Sequence, residues 1–489
     1  MDQQQNPSKF QPKSQQNSLD GPSPFPLSPG GRGQGEGEGR SFKPKTISVD
    51  YLARTEGESN LIVKIGEDRD VQEIKLKIFE PPRFFEGFLV GRKFSEVPDI
   101  VSRICGICPI SHMTTSLQAI EDAMGIVNSQ QTKRLRRLMI VSQVVASHIV
   151  HLYMFALPDY FGYPGFIGMM NKFEKETKYF LKMKDAINNV AEQIGGRALH
   201  PISMVVNGFT KLPDRETLLS LAEGIKAVLP MAYYTAQMMG KLPYPDLETE
   251  GEFMALRGET GRGGEGERGR EGEWERGRGG EEGNGGFEYA FNEGRLVATN
   301  GLNLEIHDYS SILHEEEQNY ANAKKSFLEG GATIMTGALA RVNLKFDQFR
   351  EDTKKLAREI AFSVPDKNPF HNNLAQALEI YDGMLECIHL LSEIIPKKEK
   401  PSVEIRAGEG MAITEAPRGL LMHSYAINRQ GVIEKANLVT PTSHNFANIE
   451  RDLRSLALRY APGDEQDALR LKCEQLIRAY DPCFSCSVH

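Results

Sequence analysis

Apolar and polar residues alternate through TISVDYLARTEGESNLIVKIGEDRDVQEIKLKIFE, residues 46–80, with turn formers between the runs. That period of two predicts a small β region. From Pro109 onward helical spacing dominates. In HMTTSLQAIEDAMG the apolar residues Met113, Leu117, Ile120 and Met124 share one helix face, and Gly125 is a natural stop. Further helices are predicted over 131–157, 215–239, 373–395, 451–460 and 465–480. The expected fold class is mainly α with small β regions, around a large helical-bundle core. One apolar run, LMIVSQVVASHIVHLYMFAL (138–157), approaches the length of a membrane span. Gln143, His148 and His151 interrupt it, and polar groups are costly in a bilayer. It therefore reads as a buried helix, with no direct membrane span.

Two stretches have no period. Residues 1–45 are rich in Gln, Ser, Pro and Gly and are expected to be disordered. Residues 251–286 read as an inserted, solvated Gly/Glu/Arg-rich loop, whose GRGGEGERGR echoes GRGQGEGEGR at 31–40. The remainder, 46–489, is expected to be one domain interrupted by that insertion. A net charge of -8 argues against a nucleic-acid-binding surface. The first residues carry no apolar leader, so the expected location is cytoplasmic. Six cysteines in 489 residues do not form a disulfide framework. They are also too few for a relay of iron–sulfur clusters, each of which needs about four.

Four of the six form two C-x-x-C pairs. RICGICPISH holds Cys105, Cys108 and His112; DPCFSCSVH holds Cys483, Cys486 and His489. Together they offer four thiolates, a set suited to zinc, nickel or an iron–sulfur cluster. A four-cysteine zinc staple is one reading, and two separate redox dithiols are another. Zinc modules are usually local, with about 15–20 residues between pairs. These pairs stand at opposite ends of the chain, beside long apolar helices, and a core this large needs no zinc staple. Cys387 and Cys473 stand alone and read as buried apolar residues.

RICGIC followed by His, together with the terminal DPCxxCxxH, resembles the large subunit of [NiFe]-hydrogenases. RTEG, PRFFEGFLVGR and EAPRGLLMH agree with that family's pattern. The wording is most similar to the cytosolic, multi-subunit branch that couples hydrogen to NAD(P) or other soluble carriers. The resemblance covers most of residues 46–489. It implies the family's helical-bundle fold and an enzyme that reversibly cleaves H2 to protons and electrons. It also implies a Ni–Fe centre whose iron carries CO and cyanide. Cys105 and Cys483 would be terminal on nickel, and Cys108 and Cys486 would bridge to iron.

Other roles carry over by position. Glu56 of RTEG would pass protons between the terminal cysteine and solvent. Arg418 of APRG would hang over the metals, with Asp159 and Asp481 aiming it. His112 would hydrogen-bond a bridging thiolate, and Pro441 and Thr442 would surround the iron ligands. His423 and His444 are possible neighbours of the centre. Glu86 and His489 would bind a separate Mg2+ or similar divalent ion near the C-terminus. Glu58 stands where the family usually has His; it could raise the Glu56 pKa or simply face water. Implied partners are an iron–sulfur small subunit, diaphorase subunits carrying flavin and NAD(P), and maturation factors. Among the last is a protease that removes a C-terminal extension after the final His; here nothing follows His489. A hydrogen sensor of the same fold and a zinc-stapled helical scaffold are the competing readings.

Overall fold

The computed structural model describes residues 43–258 and 289–488. Three strands come first: β1 (Lys45–Val49), β2 (Ser59–Ile65) and β3 (Val71–Ile78), antiparallel in that order. Every second residue points inward, so Ile47, Leu61, Val63, Leu76 and Ile78 are buried. This is the β region that alternation predicts. Lys45 already lies in β1, inside the stretch expected to be disordered; residues 1–42 lie outside the described residues.

The helical core follows. It contains α1 (Pro109–Met124), α2 (Gln130–Val150), α3 (Glu174–Gly195) and α4 (Arg215–Met239). Helix α1 stops at Gly125, and α4 has the limits its apolar spacing predicts. Helix α2 runs on through a wider turn at His151–Ala156 to Phe161. The combined segment is apolar enough to cross a membrane, but 78% of its apolar window is buried inside the fold, as in a core helix.

A four-stranded sheet comes next, formed by β4 (Glu252–Arg257), β5 (Arg295–Ala298), β6 (Asn303–Leu304) and, beyond a hairpin of β7 (Leu313–Gln318) and β8 (Ala321–Leu328), β9 (Ile334–Met335). Strand β4 corrects the expected insertion boundary: 251–258 belongs to the fold, and 259–288 lies outside the described residues. The reason is local. Phe253, Met254, Ala255 and Leu256 are four successive apolar residues, all buried, and the composition of the following segment masks them.

Helix α5 (Ala338–Lys345) leads to α6 (Asn372–Glu393), which is buried on nearly every face and packs against α2, α4 and α5. Burying each large side chain there, such as Leu378, Ile380, Met384 or Leu391, contributes roughly 1.5–3 kcal/mol. Strands β10 (Gly408–Ala416), β11 (Gly419–Ile427) and β12 (Ile433–Val439) form an antiparallel sheet where helical spacing was expected to continue. Helix α1 lies on β10 and β11. The approach is close: a Cβ on Gly410 would sit 2.2 Å from the Ala123 amide nitrogen, so only glycine fits. Helices α7 (Pro441–Tyr460) and α8 (Gln466–Ala479) close the fold, with a short final helix at Phe484–Ser487. The fold is mainly α, with five small sheets among the described residues.

Candidate active site

The two C-x-x-C pairs meet. Cys105 Sγ is 3.6 Å from Cys483 Sγ, and Cys108 Sγ is 3.5 Å from Cys486 Sγ. All four sulfurs lie within 4.8 Å of one another, and all are buried. The first pair precedes α1, and its turn aims the Ile107 and Cys108 amides at Cys105 Sγ, each at 3.3 Å. Hydrogen bonds from the Cys108, Cys483 and Cys486 thiols hold the Cys105 pKa well below that of a free thiol. Four soft donors at this spacing fit a thiolate-bound nickel or iron centre as well as zinc.

Arg83 fastens the two pairs together. Its guanidinium donates to the carbonyl of Ile104 at 2.7 Å and to that of Ser485, and its amide donates to the Val488 carbonyl at 3.2 Å. Thr442, in the first turn of α7, accepts from the Cys483 amide at 2.8 Å, with Pro441 buried beside it. Thr442 thus holds a cysteine in place. Arg83 was not foreseen, although it lies inside the PRFFEGFLVGR motif.

Glu56 lies against the cluster, with Oε2 2.9 Å from Cys483 Sγ. The Phe484 amide donates to the Glu56 carbonyl at 2.8 Å, and the Ser485 hydroxyl and amide both donate to its carboxylate. Burial raises the Glu56 pKa, and negative charge at Cys105 adds to the effect. Gly57 makes this approach possible. Its φ is +88°, and a Cβ there would lie 2.6 Å from the Ser485 nitrogen. Glu58 is exposed and faces water.

Arg418 occupies the two-residue turn between β10 and β11, where Ala416 pairs with Gly419. It is 3% exposed. Its Nε donates to the Asp481 carbonyl at 2.7 Å and to Oδ1 at 3.1 Å, and Nη2 lies 3.0 Å from the same oxygen. Nη1 is buried without an acceptor. The charge of Asp481, then of Cys483, Cys105 and Cys108, keeps the guanidinium protonated against the cost of its burial. An unpartnered buried N–H of this kind is a donor left for a ligand.

Asp159 departs from expectation. It does not aim Arg418; it pairs with Arg54 and with Arg478, the latter at 2.7 and 2.9 Å. Two guanidiniums occupy its oxygens, so Asp159 ties the segment before Glu56 to the helix before Asp481. The second hold on Asp481 comes from Gln376, which donates to Oδ2 at 3.0 Å and accepts from His151. Polar residues in the apolar α2 and α6 sequences were the available signal for this pair.

His112 Nδ1 lies 3.2 Å from His423 Nε2, and His423 Nδ1 lies 2.8 Å from the Tyr425 hydroxyl. His444 is fully buried beside Tyr309, and burial pushes its pKa down to about 4. It remains a neutral core residue. Glu86 Oε1 accepts from the Leu438 amide at 2.9 Å. His489 lies outside the described residues, but the Val488–Arg83 contact brings the end of the described chain near the segment that carries Glu86.

Behind the tail, the Tyr480 hydroxyl donates to Asp452 at 2.5 Å and accepts from Asn448 at 2.7 Å. Burial raises the Asp452 pKa from 3.8 to about 7. A carboxyl whose folded pKa is raised stabilises the fold most below its unfolded pKa, and that stability is lost as pH rises through the folded pKa. The window is therefore pH 3.8 to about 7. The contribution is at most ~4 kcal/mol, at about 1.4 kcal/mol per unit. Asp452→Asn is expected to flatten the fall in melting temperature between pH 5 and 7 and to raise stability at pH 8. An unchanged slope would mean that Asp452 does not hold its proton in the fold.

A family model described as nickel-dependent hydrogenase matches residues 83–164 and 307–489. The alpha chain of sulfhydrogenase 1 from Pyrococcus furiosus is 33% identical over 447 residues, 91% of this chain and 97% of that one. One component of an F420-non-reducing hydrogenase from Methanocaldococcus jannaschii is 26% identical, with 84% and 98% covered. In fold, the chain is similar to an NAD+-reducing [NiFe]-hydrogenase solved in the H2-reduced state. The TM-score is 0.75 at 22% identity, with 91% of this chain and 99% of that one covered.

Proposed function

This chain belongs to the nickel-dependent hydrogenase large-subunit family, and from that premise we propose that it catalyses H2 ⇌ 2H+ + 2e− and passes the electrons to an iron–sulfur small subunit. The observation that carries the reading is the convergence of four buried sulfurs within 4.8 Å, with Glu56 2.9 Å from one of them. A zinc staple has no use for a carboxylate that accepts from one of the thiols, or for a buried guanidinium with a free N–H.

Cys105, Cys108, Cys483 and Cys486 would hold a Ni–Fe centre whose iron would carry CO and cyanide. Bound there, the centre would supply an open coordination position at which H2 is polarised and split heterolytically. The residues around it handle the proton. Cys483 Sγ is placed to hand a proton to Glu56 Oε2, and Ser485 keeps that carboxylate aligned. Arg418 offers its open N–H from the opposite anchor, Asp481. Glu86 and His489 would hold Mg2+ near the chain end. We propose a cytoplasmic complex with an NAD(P)-linked acceptor reached through a diaphorase. The likeness in fold to an NAD+-reducing enzyme supports this, and relatives named sulfhydrogenase and F420-non-reducing hydrogenase mark the alternative.

Purified with its partner subunits, the chain is expected to carry about one nickel, as one four-thiolate site holds one such ion. It should show infrared bands of metal-bound CO and cyanide, and it should reduce a viologen dye and NAD+ or NADP+ under H2. Zinc in place of nickel, with no such bands, would remove the hydrogenase reading. A loaded centre with negligible turnover would favour a hydrogen sensor, and dye reduction without NAD(P) reduction would move the acceptor elsewhere.

A further inference from the structure

Arg418 is anchored twice. Asp481 holds its side chain, and a second, fully buried arginine holds the backbone of the two residues before it. Arg341, on α5, is 0% exposed. Its Nε donates to Glu379 Oε1 at 2.7 Å and its Nη2 to Glu379 Oε2 at 2.6 Å. Nη1 donates to Glu415 Oε2 and to the Ala416 carbonyl, both at 3.1 Å. Nη2 also donates to the Pro417 carbonyl at 3.0 Å. All five guanidinium N–H groups therefore have acceptors, and the two backbone acceptors are the residues immediately before Arg418.

The cage around Arg341 is itself fixed. His148 Nε2 lies 2.8 Å from Glu379 Oε2, and the Tyr289 hydroxyl donates to Oε1 at 2.7 Å. The Leu256 amide donates to Glu415 Oε1 at 2.8 Å. Helices α2 and α6 thus form two rungs. One, His151–Gln376, reaches Asp481; the other, His148–Glu379, reaches Arg341. His148 precedes His151 by three residues, and Gln376 precedes Glu379 by three, so each helix presents both of its rung residues from one face.

We infer that Arg341 is a positioning residue for the hydrogenase reaction: it fixes the turn that holds Arg418 and so sets where the free Arg418 N–H stands relative to the four thiolates. Two buried carboxylates and two backbone carbonyls are more than a simple ion pair needs. Lysine, with three donors and no planar fork, cannot reproduce this arrangement. A shift of about 1 Å at a reacting group costs about a hundredfold in rate.

The inference rests on the hydrogenase reading, and a double-mutant cycle in the purified complex separates the two. Arg341→Lys is expected to retain its nickel, lower kcat by about 10–100-fold with KM for H2 little changed, and shift the infrared band of iron-bound CO. Made in an Arg418→Lys background, the same change should add little to the rate loss and no further band shift, because Arg341 acts through Arg418. Losses that multiply, or a wild-type rate in Arg341→Lys, would overturn the inference. If Arg341→Lys takes up no nickel, Glu379→Gln in the same cycle decides, since it keeps one acceptor and loses one carboxylate bond. Failure of both variants to take up nickel would make the cage an assembly element and also overturn it. A wild-type complex without nickel would sink the hydrogenase reading itself.

Discussion

Cys483→Ser is expected to abolish H2 turnover and to leave less than about a tenth of the wild-type nickel, while the chain still folds. Serine is nearly isosteric and the site is only 2% exposed, so packing changes little. The ligand chemistry changes completely. A serine hydroxyl holds its proton at neutral pH and presents a hard oxygen where the other three donors are soft sulfurs. Cys483 also has two roles that no neighbour duplicates. Its sulfur faces Cys105 at 3.6 Å and Glu56 at 2.9 Å, so on the proposed reading it is both a metal donor and the first group on the proton path. Nickel analysis and thermal melting of the purified complex test this. The control is Cys387→Ala: Cys387 is buried in α6, away from the four-sulfur cluster, and burial, with the charge of Glu386 adding to it, pushes its thiol pKa up. That variant should keep its nickel. Full nickel in Cys483→Ser would show that three thiolates suffice and would weaken the reading of Cys483 as a terminal ligand.

The cysteines were legible because their spacing is itself the chemistry: each C-x-x-C turn aims two sulfurs at one point whatever surrounds it. Glu56 and Arg418 were legible only through short motifs, since a single carboxylate or guanidinium has no period to mark it. Their partners were less accessible. Asp159 was expected to aim Arg418, but Arg54 and Arg478 occupy its oxygens instead. Side-chain choice between several cations is decided by three-dimensional proximity, which one sequence does not record. The sheet of β10–β12 was missed for a related reason. Its strands are buried on both faces, so MAITEA and GLLMHSYAI show almost no alternation. Arg341 and Glu379 carried a faint signal, charged residues in otherwise apolar helices, and their burial gives that signal its meaning.

Glu56→Gln is expected to keep nickel content and infrared bands at wild-type levels while lowering turnover by about 10²–10⁴-fold, the usual worth of a positioned acid or base. Glutamine fills the same space and still accepts from Ser485, but it cannot take up and release a proton. The native carboxyl is suited to both steps. Burial, with the negative Cys105 adding to it, raises its pKa above that of an ordinary glutamate, and on the proposed reading it accepts a proton from Cys483 and returns it to solvent. The sign has a consequence for stability. A carboxyl with a raised folded pKa favours the fold while protonated and loses that contribution as pH rises through its folded pKa. Glutamine resembles the protonated form, so the variant should melt no lower than wild type in mild alkali even though it turns over poorly. Hydrogen–deuterium exchange under D2 tests the proton step directly, because it requires exchange with solvent but no electron acceptor. Exchange in Glu56→Gln at the wild-type rate would show that protons leave Cys483 by another route. A slow dye assay together with slow exchange, at full nickel, places the defect at the 2.9 Å contact between Cys483 and Glu56.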